Sequence, residues 1–213
     1  MRRALALALA FSAATSTALA EDSNTSGLKP FIGAGFTWGG DTIQGLALVP
    51  QGTTTEYEED ISAGAGLDLR LGLAYRLSGQ PLTLQASLGY HNDQASGLNG
   101  TSRFRRYPVE LLMQWHVSEK GRLGFGVRRA LSASFLREGF TCTDSGGTYD
   151  CPRISERMKS STGLIIEGEW LVTPSWGLKA RYVHESYRFK DPAFDSSKYE
   201  GDHFGLMTSY YFN

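Results

Sequence analysis

Eight stretches of the sequence alternate, residue by residue, between bulky apolar side chains and small or polar ones. Residues i and i+2 share one face of a β-strand, so this rhythm marks strands with two unlike faces. In "GLDLRLGLAYRL", Leu67, Leu69, Leu71, Leu73 and Tyr75 lie opposite Asp68, Arg70, Gly72, Ala74 and Arg76. In "GLIIEGEWLV", Leu164, Ile166, Trp170 and Val172 lie opposite Ile165, Glu167, Glu169 and Leu171. The other segments begin near Pro30, Leu82, Arg106, Leu123, Trp176 and His203, and no stretch of helical period competes with them. Acids at alternate places of an apolar strand have two solutions. Either they face water over an apolar core, or the apolar face meets lipid and the acids enter a closed polar interior.

The connections separate the two. The short turns "SGQP", "SEKGR" and "TPS" follow the second, fourth and sixth segments, whereas long polar stretches, 40–60, 92–103, 137–161 and 190–202, follow the odd-numbered ones. Short turns at one end, long loops at the other and an even strand count are the plan of an outer-membrane barrel. The polar faces mix glycine with charges of both signs, as a narrow lumen requires. Trp38, Tyr75, Tyr107, Trp115, Trp170, Trp176 and Tyr210 fall near strand ends, where interfacial girdles form. A soluble barrel of the lipocalin kind would alternate too, with its bulky face inward, but does not account for these features. The expectation is an all-β fold, an eight-stranded antiparallel transmembrane up-and-down β-barrel forming one domain over residues 21–213. Its long loops face outside and its turns at 78–81, 118–122 and 173–175 face the periplasm. Arg129 strains this reading, because its parity places it with Val127, Leu131, Ala133 and Phe135 on the lipid face. An exposed Arg costs about 2–4 kcal/mol at the bilayer midplane, which a bulge or a shift in depth would relieve.

The chain opens "MRRALALALAFSAATSTALA", a basic start, a short apolar run and an Ala18-Leu19-Ala20 ending. This is the pattern of a secretory signal peptide cleaved after Ala20, too short in its apolar run to span a bilayer. Acids and bases nearly balance, with 21 Lys and Arg against 22 Asp and Glu, so no strong field exists to attract nucleic acid. No later run approaches the length of a transmembrane helix, a test that a strand-built membrane protein passes unnoticed. The two cysteines, Cys142 and Cys151, are expected to form a disulfide in an exported chain. With no histidine nearby they make a poor zinc site, and neither metal nor cofactor is expected.

Eight strands leave an interior that side chains fill, which argues against a general porin. The inward charges Asp68, Arg70, Glu110, Arg128, Glu167, Glu169, Lys179, Arg181 and Glu185 are expected to form an ion network, since an unpaired buried charge is expensive. In a hairpin turning at Pro174, residues of one face must pair with each other at a constant sum. That register sets Glu169 opposite Lys179 and Glu167 opposite Arg181 as partners, with Ile166 opposite Tyr182 and Trp170 opposite Leu178 on the lipid side. Arg103, Arg105, Arg137 and Arg188 fall at outward strand ends, where lipopolysaccharide phosphates lie, and Arg suits bidentate phosphate contact. The acidic stretch with Asp41, Glu56, Glu58, Glu59 and Asp60 lacks the spacing of a calcium loop and reads as solvated and mobile.

The closing "GDHFGLMTSYYFN", the "RYPVELLMQW" strand and the eight-strand plan resemble the small outer-membrane β-barrel superfamily, the OmpX-like and OmpA-like barrels of Gram-negative bacteria. The resemblance implies an outer-membrane location among lipid and lipopolysaccharide, and insertion by the barrel assembly machinery; a monomer is expected. That family favours a terminal aromatic residue, and here Phe212 is penultimate. In "RYVHESYRF", His184 and Ser186 share a face and Glu200 lies one loop later, which resembles the lipid A 3-O-deacylase family. That resemblance implies Ser as nucleophile, His as its base and Glu as the orienting acid, although Tyr187 stands where the family has Asn. The functional expectation is a non-enzymatic barrel for surface display or envelope integrity. An acyl hydrolase using His184 and Ser186, and a narrow solute channel, are the alternatives.

Overall fold

The computed structural model describes residues 27–48, 57–144 and 147–212. The signal peptide expected over 1–20, and Glu56, lie outside the described residues. In chain order the strands are β1 (Gly27–Gly39), β2 (Thr42–Leu48), β3 (Tyr57–Ser62), β4 (Gly66–Arg76), β5 (Leu82–Gly97), β6 (Gly100–His116), β7 (Gly121–Glu138) and β8 (Thr141–Asp144). There follow β9 (Gly147–Asp150), β10 (Ile154–Ser160), β11 (Gly163–Thr173), β12 (Trp176–His184), β13 (Ser186–Phe189), β14 (Lys198–Glu200) and β15 (His203–Tyr211). The strands β1, β4, β5, β6, β7, β11, β12 and β15 each pair antiparallel with the next, and β15 returns to β1, closing an eight-stranded up-and-down barrel. Closure pairs the backbone groups of every barrel strand on both sides, the condition for strands to cross lipid.

The faces are inverted relative to a protein in water. On β11, Leu164, Ile166, Trp170 and Val172 are exposed while Ile165, Glu167, Glu169 and Leu171 are buried. On β4, Leu69, Leu71, Leu73 and Tyr75 are exposed over buried Asp68 and Arg70. Such an exterior is matched to hydrocarbon. Aromatic pairs mark its two rims, Trp176 with Tyr210 at 5.3 Å near the short turns, and Tyr90 with Tyr107 at 5.6 Å and Tyr182 with Phe204 at 4.9 Å near the long connections.

The barrel wall continues past the outer rim. Met158 opposite Ala133 and Gly163 opposite Arg128 keep one register on β7, so β10 continues β11 across a break at 161–162. Val183 opposite His203 and Ser186 opposite Glu200 likewise make β13 and β14 continuations of β12 and β15. β5 and β6 run unbroken to the pair Gly97 and Gly100. The stretch 92–103, expected as a loop, is therefore largely wall, and so are the two ends of 137–161, at 137–138 and 154–160. Above the lipid both faces of a strand tolerate polar residues, so the apolar rhythm fades while the backbone ladder persists.

A bulge changes the phase of β7. The register with β6 shifts between Tyr107 and Pro108, leaving Leu131 as the extra residue, 74% exposed, followed by exposed Ser132. Beyond it Ala133 and Phe135 point inward and are buried, correcting their expected lipid-facing side. Two successive outward residues are what a bulge produces. Arg129 does face outward, but it is paired with Val109, beside the rim residue Tyr107. It thus stands at the outer interface rather than mid-membrane, where its charge reaches water.

Above the lumen an apolar cap fills the barrel mouth. Ile61 of β3, 0% exposed, and Leu46 of β2 pack with Phe104, Phe135, Tyr187 and Phe189 from the surrounding wall. Ser62 N donates to Asp93 Oδ2 at 2.8 Å and Asn99 Nδ2 to Ala47 O at 2.7 Å, tying this β2–β3 hairpin to β5 and its turn. The described parts of the 40–60 stretch are thus a docked hairpin, not the solvated, mobile loop expected. Its apolar residues, among them Ile43, Leu46 and Ile61, are few, and they acquire a burial partner only once the barrel forms.

Candidate functional site

Below the cap the lumen holds a lattice of charges in two linked groups. In the outer group Glu110 of β6 meets three guanidiniums, Arg70, Arg128 at 3.3 Å and Arg181 at 2.9 Å. Arg70 also reaches Asp68 at 2.5 Å, and Arg128 reaches Glu185 at 3.2 Å. In the inner group Lys179 lies 3.0 Å from Glu167 and 3.9 Å from Glu169, and Arg122 lies 3.2 Å from Glu169. Gln114 bridges the two acids, donating to Glu167 Oε1 at 2.8 Å and to Glu169 Oε2 at 3.2 Å. Gln85 donates to Gln114 at 2.8 Å, and the Tyr211 hydroxyl donates to Glu169 at 2.7 Å.

Glycine makes this reach possible. Gly124 lies opposite Glu167 in register, and a Cβ there would sit 2.7 Å from the Glu167 Cγ and 3.1 Å from Leu112. Small residues on one wall give long charged side chains of the next wall room to cross. The cavity left among Phe31, Arg70, Gln85, Glu110, Glu167 and Lys179 is about 10 Å³, space for about one water. Towards the cap, His91 is hydrogen-bonded with Thr37 Oγ1 at 2.8 Å, its ring 5.3 Å from that of His203. Arg106 donates to the Ala63 carbonyl and, at 2.8 Å, to that of Ala65, joining wall to hairpin.

The expected lumen residues are brought together, Asp68, Arg70, Glu110, Arg128 and Arg181 in one group and Glu167, Glu169 and Lys179 in the other. The hairpin register is also as expected, with Glu169 opposite Lys179, Glu167 opposite Arg181, Ile166 opposite Tyr182 and Trp170 opposite Leu178. The ion pairs follow it only in part, since Lys179 does reach its partner Glu169 at 3.9 Å. Lys179 leans diagonally to Glu167, and Arg181 crosses the lumen to Glu110. Gln85, Gln114, Arg122, Arg106 and Tyr211 were not singled out beforehand. The inward parity of the two glutamines and of Tyr211 was the signal available.

At the outer rim the candidates separate. Arg188 is exposed, Arg103 half-buried, and the Arg105 guanidinium lies 5.9 Å from the Tyr90 ring centre. Arg137 turns to the disulfide hairpin instead, its guanidinium 5.0 Å over Phe140 and a nitrogen 3.8 Å from the Cys151 sulfur. Cys142 and Cys151 are bonded, with Cα atoms 5.1 Å apart, closing the β8–β9 hairpin. His184 takes its carboxylate from Asp202, at 2.8 Å, while Glu200 accepts from Lys198 at 2.6 Å. Ser186 lies across from Glu200, its backbone nitrogen donating to Ser161 Oγ at 2.9 Å, and no hydrogen bond joins it to His184 among the described residues. Among the described residues no group of three or more His, Cys, Asp or Glu is placed to hold a metal ion.

No family model matches the chain, and no curated protein matches it. Among solved structures it is similar to Ail, the attachment invasion locus protein of Yersinia pestis, in complex with the heparin analogue sucrose octasulfate, at 14% identity and a TM-score of 0.47 over 88% of this chain and 99% of that one. It is similar to the neisserial surface protein A at 10% identity and a TM-score of 0.48, again over 88% and 99%. It is also similar to OprG from Pseudomonas aeruginosa at 14% identity and a TM-score of 0.41, over 91% and 100%. The assignment as a barrel rests on this chain's own strand register and burial.

Proposed function

We propose that the chain is an integral outer-membrane barrel of a Gram-negative bacterium, non-conducting, that holds a sheeted outer wall and a disulfide-tied hairpin at the cell surface for envelope integrity or surface interaction. The observation that supports it is the side-chain-filled lumen, where the cavity among Phe31, Arg70, Glu110 and Lys179 has space for about one water beneath an apolar cap. The signal-peptide pattern of residues 1–20 fits export. The test joins two measurements. Protein reconstituted in planar bilayers is expected to give no steady ion current, and protease added to intact cells is expected to cut only in connections on the loop side. A stable conductance, or cleavage confined to the turns at 78–81, 118–122 and 173–175, overturns the reading.

One observation favours a second reading, acyl-lipid hydrolysis, since exposed His184 has an acid partner at the lipid rim, Asp202. Loss of acyl release from lipid A by His184→Ala and Ser186→Ala supports it, and absence of any release by the parent protein removes it.

A further inference from the structure

The lumen pairs opposite charges, whereas one sector of the outer wall does the reverse. On the outward faces of β10, β13 and β14, Lys159 lies directly opposite Arg188, and Arg188 directly opposite Lys198. Like charges directly across strands are destabilising, so three cations in a row need a reason. Arg157 stands two residues further along β10, and Arg129 stands nearby on β7; both are exposed. Arg105 lies on the outward face of neighbouring β6, across from Ser134, which itself faces Arg157. Lys198 has Glu200 at 2.6 Å, but Arg129, Arg157, Lys159 and Arg188 have no carboxylate partner among the described residues.

The sector's height is set by its register. Tyr107, a rim aromatic, pairs with Ser132, and Lys159 is level with Ser132 because Met158 pairs with Ala133. Below the cations the wall is lipid-facing, with Val127 and Leu164 exposed. Strands of a closed barrel tilt, so the row runs obliquely, from the rim at Tyr107 outward over β10 and β13. Acyl chains against Val127 and Leu164 would place headgroup phosphates beside Arg129, with Lys159, Arg188 and Arg157 higher along the wall. At the edge over β1 to β3 stand the acids Asp41, Glu58 and Asp60.

We propose that this sector binds a phosphorylated glycolipid of the outer leaflet, its phosphates neutralising Arg129, Arg157, Lys159 and Arg188 while its acyl chains lie on the apolar wall below. Chemistry and geometry agree, because guanidinium forks suit phosphate oxygens and cations just beyond an aromatic girdle lie at headgroup depth. The site rests on the outer-membrane reading above and adds to it a ligand class and a side of the barrel.

The test uses the full folded chain in zwitterionic micelles doped with phosphorylated lipid A, retained lipid being counted by native mass spectrometry. Each cation near such a surface is worth about fivefold in affinity, so Arg157→Ala, Lys159→Ala and Arg188→Ala together are expected to weaken retention about a hundredfold. Single Lys159→Ala and Arg188→Gln variants are expected to lose about fivefold each, which keeps the test open if the triple variant misfolds. Arg153→Ala, removing an exposed cation 2.9 Å from Glu138, is expected to change nothing. Rising salt is expected to weaken binding. The proposal is overturned if folded variants retain lipid A like the parent, or if lipid A stripped of phosphate binds equally well. It is also overturned if phosphatidylglycerol or inorganic phosphate displaces lipid A at equal concentration. A chain that enters no bilayer overturns both readings, whereas one that inserts and ignores lipid A overturns only this one.

Discussion

Glu110→Gln tests the lumen at its most connected point. The substitution keeps the volume and the hydrogen-bonding oxygen but removes the one charge that faces Arg70, Arg128 and Arg181 together. Arg70 keeps Asp68 and Arg128 keeps Glu185, whereas the hydrogen-bond partner left to Arg181 among the described residues is the sulfur of Met207 at 3.6 Å. Breaking a buried ion pair costs about 3–5 kcal/mol because the remaining charge is stranded. At about 2–4 °C per kcal/mol for a chain of this size, the detergent-folded barrel should unfold about 6–20 °C lower. Glu138→Gln breaks an exposed pair with Arg153 and should cost less than about 1 kcal/mol. The assay is thermal unfolding followed by loss of the compact electrophoretic form, with urea midpoints as a second probe. Adding Arg181→Met to Glu110→Gln removes the stranded cation and should recover part of the loss, a coupling that a double-mutant cycle reads directly. Equal stability of Glu110→Gln and Glu138→Gln, or strict additivity with Arg181→Met, refutes the reasoning.

Two further expectations concern the outer wall. The Tyr199 hydroxyl 2.5 Å from Asp195, followed by the Ser197 backbone nitrogen, holds the Asp195 carboxyl below its ordinary range, while burial and then that same hydrogen bond push Tyr199 up to about 12. A depressed carboxylate stabilises above its unfolded pKa and loses that contribution as pH falls through the folded value. The 190–197 connection should therefore loosen in acid, and Tyr199→Phe should shift the Asp195 titration upward toward the ordinary carboxyl range by NMR, the Ser197 bond remaining; an unchanged titration counts against the contact. Replacing Cys142 and Cys151 by Ser should leave insertion and the compact form intact while local protease sensitivity of the β8–β9 hairpin rises, since a loop this short contributes roughly 2–3 kcal/mol; failure of the whole barrel to assemble would show a larger role.

Much of the architecture was legible because it is written locally. The period of two in residues 163–172 assigns Glu167 and Glu169 to one face, and the short turn at Pro174 leaves one register that keeps faces matched. The outer wall was less legible. Residues 92–103 read as a loop because, beyond the lipid, hydrocarbon no longer requires apolar side chains on the outward face. The bulge at Leu131 was invisible for another reason: one extra residue leaves a short alternating window intact while exchanging the sides of everything after it. Ala133 and Phe135 therefore read as lipid-facing and prove to line the cap.

The hairpin register assigned Glu167 and Arg181 as neighbours, and they are neighbours on adjacent strands, yet Arg181 gives its charge to Glu110 on the far side of the lumen. Strand identity, face, hairpin register and the Cys142 to Cys151 bond follow from period, turn length and proximity along the chain. The partner of each lumen charge, the depth of Arg129, the docking of Ile61 and the cationic sector outside were decided only when the sheet closed. Closure sets strands distant in sequence within reach of long side chains across a lumen narrow enough for those chains to meet.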